Sequence, residues 1–391
     1  MKILLLSPYV PVTSSGGGGT VYYHYINSLS QSNLVDLLCL SSKASTNLGE
    51  LKAYCKNIKV FKLNLVSSII YCFLNLFTKM PLRLSYANSK QMIQEIIKLN
   101  SVQKYDLIWA SHERMAPYAQ LFKHTPKILD LHDLVSLRHK QLLKIEKNPV
   151  KWIINFLESY RMKKFEMNIP NYFDIILLGN SWEANLLKNK IKINNIMVAP
   201  RSIQVESFNV PNTYTPNTLI FTGAMHYLPN EDACLFFSKK ILPIITKSVP
   251  DIKFYVVGNR PSKSILNLSK NKNIIVTGFV PDMSEYLRQS AVFVCPLRVG
   301  TGVRMKILEA MAAGRPVIST TIGYKGIDAT NMENIVIADT PDDFAKMTIR
   351  LLMDRNLYTK IAEGGKDLVR KKYDINRIST DINQIVQRAA S

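Results

Sequence analysis

Acidic side chains are scarce in this 391-residue chain: 29 Asp and Glu stand against 50 Lys and Arg, a formal net charge of +21. The deficit is uneven. Residues 1 to 205 carry 26 basic and 12 acidic side chains, the remainder 24 and 17. Such a surface favours anionic partners, and composition does not choose among nucleic acid, anionic lipid and a diphosphate substrate. Cysteine is sparse as well: Cys39, Cys55, Cys72, Cys234 and Cys295 are dispersed and form no CxxC pair. That excludes a zinc ribbon or a disulfide scaffold and reads as buried thiols in a reducing compartment, with no metal. Long apolar runs are missing. The longest, Leu65 to Phe77, is too short to cross a bilayer, and the apolar opening Ile3 to Leu6 ends at Pro8, which suits a first buried strand better than a signal peptide. The charged fraction is only 20% and the apolar fraction 47%, so disorder is excluded.

What is present is an alternation of short apolar runs with helix-length segments. A chain of this length suits two domains. In the first half the strand-like runs are 2 to 7, 35 to 40, 58 to 61, 106 to 110, 127 to 130 and 175 to 178. In the second they are 218 to 221, 253 to 257, 274 to 277, 292 to 295, 317 to 319 and 335 to 337. Helical patterns begin near Tyr22, Asn230, Ser284, Val303 and Asp342. This grammar predicts parallel sheets covered on both faces. The stretch 206 to 217 holds Pro211 and Pro216 among polar residues and suits a hinge, with a ligand cleft between the halves. The expected division is therefore 1–205, a 206–217 linker, 218–370, and a final helical segment 371–391.

The segment from Pro296 to Thr320 carries the strongest chemical signal. A buried strand ends at Pro296, Gly300-Thr301-Gly302 permits close backbone approach, and a helical pattern runs from Val303 to Ala313 before Gly314 and Pro316 stop it. Amides at that helix start would face a phosphate above the strand ends, and Arg298, Arg304 and Lys306 add positive charge. Arg304 and Lys306, two apart, do not share a helical face, and Lys306 is the preferred diphosphate ligand. Glu309 suits ribose hydroxyls or a simple i,i+3 pairing with Lys306. The run Gly16 to Gly19 precedes a helix but is neither a dinucleotide fingerprint nor a P-loop, since no Gly-Lys-Ser/Thr follows; a surface loop without ligand is the alternative. Asp130-Leu131-His132-Asp133 follows a strand, where open sheets place ligands, and suits either proton transfer and sugar binding or ordinary loop hydrogen bonding. His112-Glu113-Arg114 occupies the equivalent position one strand earlier. After the first two strands of the second half come Gly223 and Gly258-Asn259-Arg260, with Arg260 a candidate for phosphate.

These motifs carry a resemblance. From Phe221-Thr-Gly-Ala-Met-His-Tyr-Leu-Pro-Asn230 through Gly278-Phe-Val-Pro-Asp282 to Pro296–Thr320 and Gly323, the chain resembles the retaining GT-B glycosyltransferases of family 4, which include bacterial polysaccharide and lipopolysaccharide sugar transferases. The resemblance implies an α/β GT-B fold, two Rossmann-like domains facing across a cleft. It assigns the acceptor to the N-terminal domain and a UDP- or GDP-sugar to the C-terminal one, with no required cofactor or metal, and sends the last helix back to the N-terminal domain. It further implies that Gly17 and Gly18 approach the donor phosphates or acceptor, that His132 contacts the transferred sugar, and that Lys306 and Glu309 belong to the donor site with Gly223, Arg260, Arg298, Gly300, Thr301, Gly302, Val303 and Arg304. Family members often carry two glutamates eight residues apart; here Thr301 stands in the first position, so backbone amides around Gly300 to Val303 would take its sugar contacts. Val198-Ala199-Pro200-Arg201-Ser202 replaces a frequent Asn-Gly pair, and Ala224-Met225-His226 replaces a frequent arginine and lysine pair, leaving Arg260, Arg298 or Lys306 to supply charge.

Expected partners are thus a nucleotide sugar and a glycan or lipid-linked acceptor in cell-surface polysaccharide synthesis. An anionic membrane surface is a further expected partner. The Leu65 to Phe77 run is either a partly buried edge helix or an interfacial patch aided by Lys140, Lys144, Lys147, Lys151, Arg161, Lys163 and Lys164. The chain is expected to be cytoplasmic or peripheral on the inner membrane face. A GT-B epimerase or a non-catalytic binder of lipid or nucleic acid are the competing readings. No nucleic acid is expected, because aromatic residues are not interleaved with the basic ones.

Overall fold

Thirteen strands, every pair of them parallel, make up two sheets in the computed structural model, which describes residues 1–12, 18–42, 48–191, 194–208 and 213–390. The first sheet holds β1 (Lys2–Ser7), β2 (Leu34–Ser41), β3 (Asn57–Lys62), β4 (Leu107–Ser111), β5 (Lys127–His132), β6 (Ile175–Leu178) and β7 (Ile196–Val198) in the order β3-β2-β1-β4-β5-β6-β7. The second holds β8 (Thr218–Thr222), β9 (Lys253–Val257), β10 (Ile274–Gly278), β11 (Val292–Cys295), β12 (Val317–Ser319) and β13 (Val336–Ile337) in the order β10-β9-β8-β11-β12-β13. Strands such as Ile3-Leu4-Leu5-Leu6 and Val292-Phe293-Val294-Cys295 are fully buried because helices cover both sheet faces, which is why they read as unbroken apolar runs. Strand β7 has only three residues after an Asn-Asn pair and gives no such run.

Two compact units result, residues 1–140, 153–202 and 375–391 in the first, residues 141–152 and 203–374 in the second. The last helix, Ile375–Ala390, lays Ile378, Ile382, Ile385 and Val386 into the first unit's core beside Ile3, Leu5 and Ile26. In each sheet the order reverses beside the first strand: β1 lies between β2 and β4, and β8 between β9 and β11. Loops leaving the carboxyl ends of those strands diverge, and a crevice opens there for a ligand.

Several helix expectations are corrected. The first helix starts at Gly18, within the glycine run, and not at Tyr22. The helix after β11 is Met305–Ala312, two residues later than its apolar pattern suggests, with Arg304 at its N-cap. It ends as expected at Gly314, whose φ of 68° lets the Arg315 amide donate to the Ala310 carbonyl 2.9 Å away. Leu65–Leu74 is helical and partly buried, but the side it buries is the polar one and its apolar side faces solvent. Arg161 does not belong to the basic surface; it is buried and donates to the Leu76 carbonyl. Four of the five free thiols are buried, and Cys72 is half-buried.

Candidate active site

In the second unit, β8 delivers Gly223 to the switch point with φ of 148°, a conformation that only glycine adopts without strain. The Gly223 amide donates to the Val257 carbonyl at 3.0 Å and the Met225 amide to the Asn259 carbonyl at 3.0 Å, so the loops after β8 and β9 are laced together. The approach is so close that a Cβ on Gly258 would overlap the Gly223 carbonyl oxygen. A Cβ on Gly223 itself would lie 2.7 Å from both Lys306 Nζ and Asn230 Nδ2. The Lys306 ammonium therefore comes from the first turn of the Met305–Ala312 helix to the end of β8. There it donates to Asn230 Oδ1 at 2.8 Å and stands 4.0 Å above the Phe221 ring centre. Burial lowers this lysine to about 8, with Arg304 adding repulsion and Glu309 opposing it.

Arg304, at the N-cap, turns back on its own loop: Nη1 donates to the Gly302 carbonyl at 2.7 Å and to the Thr301 carbonyl. It braces Gly300-Thr301-Gly302, where a Cβ on Gly300 would come within 2.5 Å of Arg304 Nη2. No side chain among the described residues caps the start of the Met305–Ala312 helix. Its first amides and the positive end of its dipole thus lie beside Lys306 and the loop, a ready site for an anion. Val303 is half-buried against the second unit's core, directly before the N-cap. Glu309 follows one turn after Lys306, and burial raises its carboxyl against the pull of that lysine.

Two arginines fall outside this group. Arg298 forms a two-point ion pair with Asp232 of the Leu228–Phe236 helix, with Nε to Oδ2 at 2.9 Å, and lies over the Phe236 ring. Its charge is already compensated. Arg260 is exposed after the end of β9 with φ of 50°. Gly17 lies outside the described residues, and Gly18 opens the first helix. Asn230 and Phe221, which fix the Lys306 head, were not among the expected site residues; an Asn-Lys pairing across 76 residues leaves no local pattern in the sequence.

In the first unit, the ends of β4 and β5 carry His112 and His132, both in left-handed backbone with φ of 79° and 66°. Such strain at two neighbouring strand ends is sustained only where the surroundings over-determine it. The His132 amide donates to Asp130 Oδ1 at 3.0 Å and the Tyr22 hydroxyl to Asp130 Oδ2 at 2.6 Å. The His132 ring packs against Tyr22 and His112 with ring centres 4.8 and 5.0 Å apart. Burial, then Arg201 and His112, hold the His132 imidazole well below its ordinary range, so the ring is neutral at physiological pH. Its Nε2 is buried and has no hydrogen-bond partner among the described residues. Burial raises the Asp130 carboxyl against the pull of Arg201, Tyr22 and the His132 amide. Glu113, fully buried, pairs with Arg83 and with His112, whose imidazole burial lowers to about 4. Arg201 and Tyr22 were not singled out as site residues, since their relation to Asp130 is made only by folding. Among the described residues no group of three or more His, Cys, Asp or Glu is placed to hold a metal.

Comparison with known proteins shows similarity to glycosyltransferases. Residues 216–354, which include β8 to β13 and the whole Lys306 constellation, match the family model described as glycosyl transferases group 1. A Klebsiella pneumoniae relative, an uncharacterized 44.6 kDa protein in the cps region, is 24% identical over 97% of this chain and 98% of its own length. The crystal structure of TarM superposes with a TM-score of 0.72 at 12% identity, covering 98% of both chains. That of Anabaena HepE with UDP-glucose superposes with a TM-score of 0.70 at 13% identity, over 99% of this chain and 100% of that one.

Proposed function

We propose that this chain, a GT-B-fold glycosyltransferase related to the group 1 glycosyl transferases, moves a sugar with retention from a UDP- or GDP-sugar to a saccharide or lipid-linked glycan acceptor in cell-surface polysaccharide synthesis. The second unit holds the donor and the first unit the acceptor. The observation that carries this reading is the Lys306 ammonium placed at the Gly223 end of β8, beside an uncapped helix start.

Cleavage of the donor leaves negative charge on the nucleoside diphosphate, and only groups that bind that charge more tightly than they bind the intact donor accelerate the step. Lys306 and the first amides of the Met305–Ala312 helix supply that difference. Glu309 accepts from ribose hydroxyls, and the loop backbone from Gly300 to Val303 takes the sugar contacts, the Gly300 amide only by giving up its bond to Gln141 Oε1 at 2.5 Å. His132, neutral and with its Nε2 buried, is assigned to a hydroxyl of the transferred sugar. The acceptor hydroxyl attacks the anomeric carbon on the face from which the diphosphate departs, and the departing phosphate oxygen takes the hydroxyl proton.

The named HepE structure holds UDP-glucose, which makes UDP the first nucleotide to test. Calorimetric titration should give binding of UDP or GDP by the native protein, and Lys306→Ala should lower turnover by on the order of 10². Equal, weak binding of every nucleotide, unchanged by Lys306→Ala, is the result that would remove this reading. Conversion of a nucleotide sugar to its epimer without any acceptor would replace transfer with epimerisation.

A further inference from the structure

Helix Leu65–Leu74 is built inside out. Its inward side is Ser67, Ser68, Tyr71 and Cys72, with Ser68 fully buried. Its outward side is Leu65, Val66, Ile69, Ile70, Phe73 and Leu74, repeating every three to four residues and each more than half exposed. Phe77, one turn beyond, is 90% exposed. Burying one such stripe is what normally fixes a helix in place, and here the polar side has been buried instead. A contiguous apolar face of this size is larger than scattered surface residues account for and marks a contact surface.

The neighbouring helix Pro149–Asn168 also carries exposed apolar side chains. It is tied to the first through Arg161, which donates to the Leu76 carbonyl, and through Glu158, which accepts from the Leu82 and Arg83 amides at 2.8 and 3.2 Å. From it Ile153, Ile154 and Tyr160 are exposed. The charges have one sign. Both acidic residues of that helix, Glu158 and Glu166, are turned inward and buried, whereas Lys163 and Lys164 are exposed. No acidic residue occurs at all from Leu51 to Gln94, a stretch that holds six lysines and Arg83.

We propose that the paired faces of Leu65–Leu74 and of Ile153–Lys164 form the surface by which this protein sits on an anionic lipid bilayer. A helix of ten residues is about 15 Å long, half the hydrocarbon thickness of roughly 30 Å, so it lies in the plane of the interface and does not cross it. Apolar side chains enter the acyl boundary while Lys79, Lys163 and Lys164 reach the headgroup phosphates. A second copy of the chain suits the face less well, because pairing it with itself would bring two acid-free basic rims together. The proposal deepens the reading of a lipid-carried acceptor by naming the surface that would reach it, and it is independent of the donor chemistry.

The test is co-sedimentation of the full chain with vesicles of neutral phosphatidylcholine alone and with 30% phosphatidylglycerol, at low and high salt. Nucleotide binding is measured on the same samples. The native protein is expected on the anionic vesicles, with much less bound at high salt. Ile69→Ser with Phe73→Ser should abolish vesicle binding, and Lys163→Glu with Lys164→Glu should weaken it by about tenfold or more on anionic vesicles only. Both variants are expected to keep the nucleotide affinity of the native protein, which reports that they are folded. Loss of nucleotide binding by the native protein would strike the donor reading and leave this one standing. The proposal is overturned if the native protein ignores anionic vesicles at low salt, or if the Ile69/Phe73 variant binds them as well as the native chain. It is also overturned if sedimentation shows a dimer that the Ile69/Phe73 variant breaks while vesicles are not bound, which assigns the face to a second copy.

Discussion

Lys306 has two properties that pull against each other. Its ammonium is held in place by Asn230 and the Phe221 ring, yet burial lowers it to about 8. The free site is thus cationic below that value and loses its charge as pH rises past it. A bound diphosphate favours the charged form and draws a proton back. Affinity for UDP should accordingly be level near about pH 7, where the terminal phosphate of UDP is already ionised, and fall by up to about tenfold per pH unit above 8, with uptake of as much as one proton. Calorimetry in buffers of different ionisation enthalpy measures both quantities, and Lys306→Ala should remove both. A profile that keeps its slope in the variant would assign the titration to another group. This residue was legible in the sequence because a lysine sits in the first turn of a helix behind a glycine loop. Its lowered basicity was not, because it depends on what folding packs around the head.

At the scale of elements, glycine decides how closely the loops after β8 and β9 meet. Gly258 has φ of 153° and its α-carbon faces the Gly223 carbonyl. Gly258→Ala adds both backbone strain and an overlap that no side-chain rotation relieves. It should destabilise the second unit by about 2 kcal/mol or more and displace Gly223 from the Lys306 head. Thermal unfolding should show a lower transition and calorimetry a weaker UDP affinity; a variant with native values for both would mean that the loops can move apart freely. The sequence marked both glycines as strand-end residues. It gave no sign that one backbone lies against the other, since strands β8 and β9 are brought side by side only by their register from Thr218 opposite Lys253 to Thr222 opposite Val257.

For the whole molecule, the path of the chain matters more than any one contact. The Ile375–Ala390 helix follows the second unit in sequence but completes the core of the first. Ile382→Asp would bury an unpaired carboxylate beside that core and should lower the unfolding transition of the first unit while leaving UDP binding by the second close to native. Loss of both would mean that the units unfold as one. The parallel αβ grammar of both sheets, all but one of their strands, and the glycine loop leading to a helix with Lys306 and Glu309 were determined by the sequence itself. They are written in short-range patterns: apolar runs buried on two faces, a glycine ending a helix, a cation in the first helical turn behind a glycine loop. Only the tertiary structure decided that Arg298 is spent on Asp232, that Arg161 points inward, that Asn230 holds Lys306, and that the Leu65–Leu74 helix turns its apolar side outward. Each depends on a partner dozens of residues away, or on which side of a helix the rest of the protein covers, and periodicity alone carries neither.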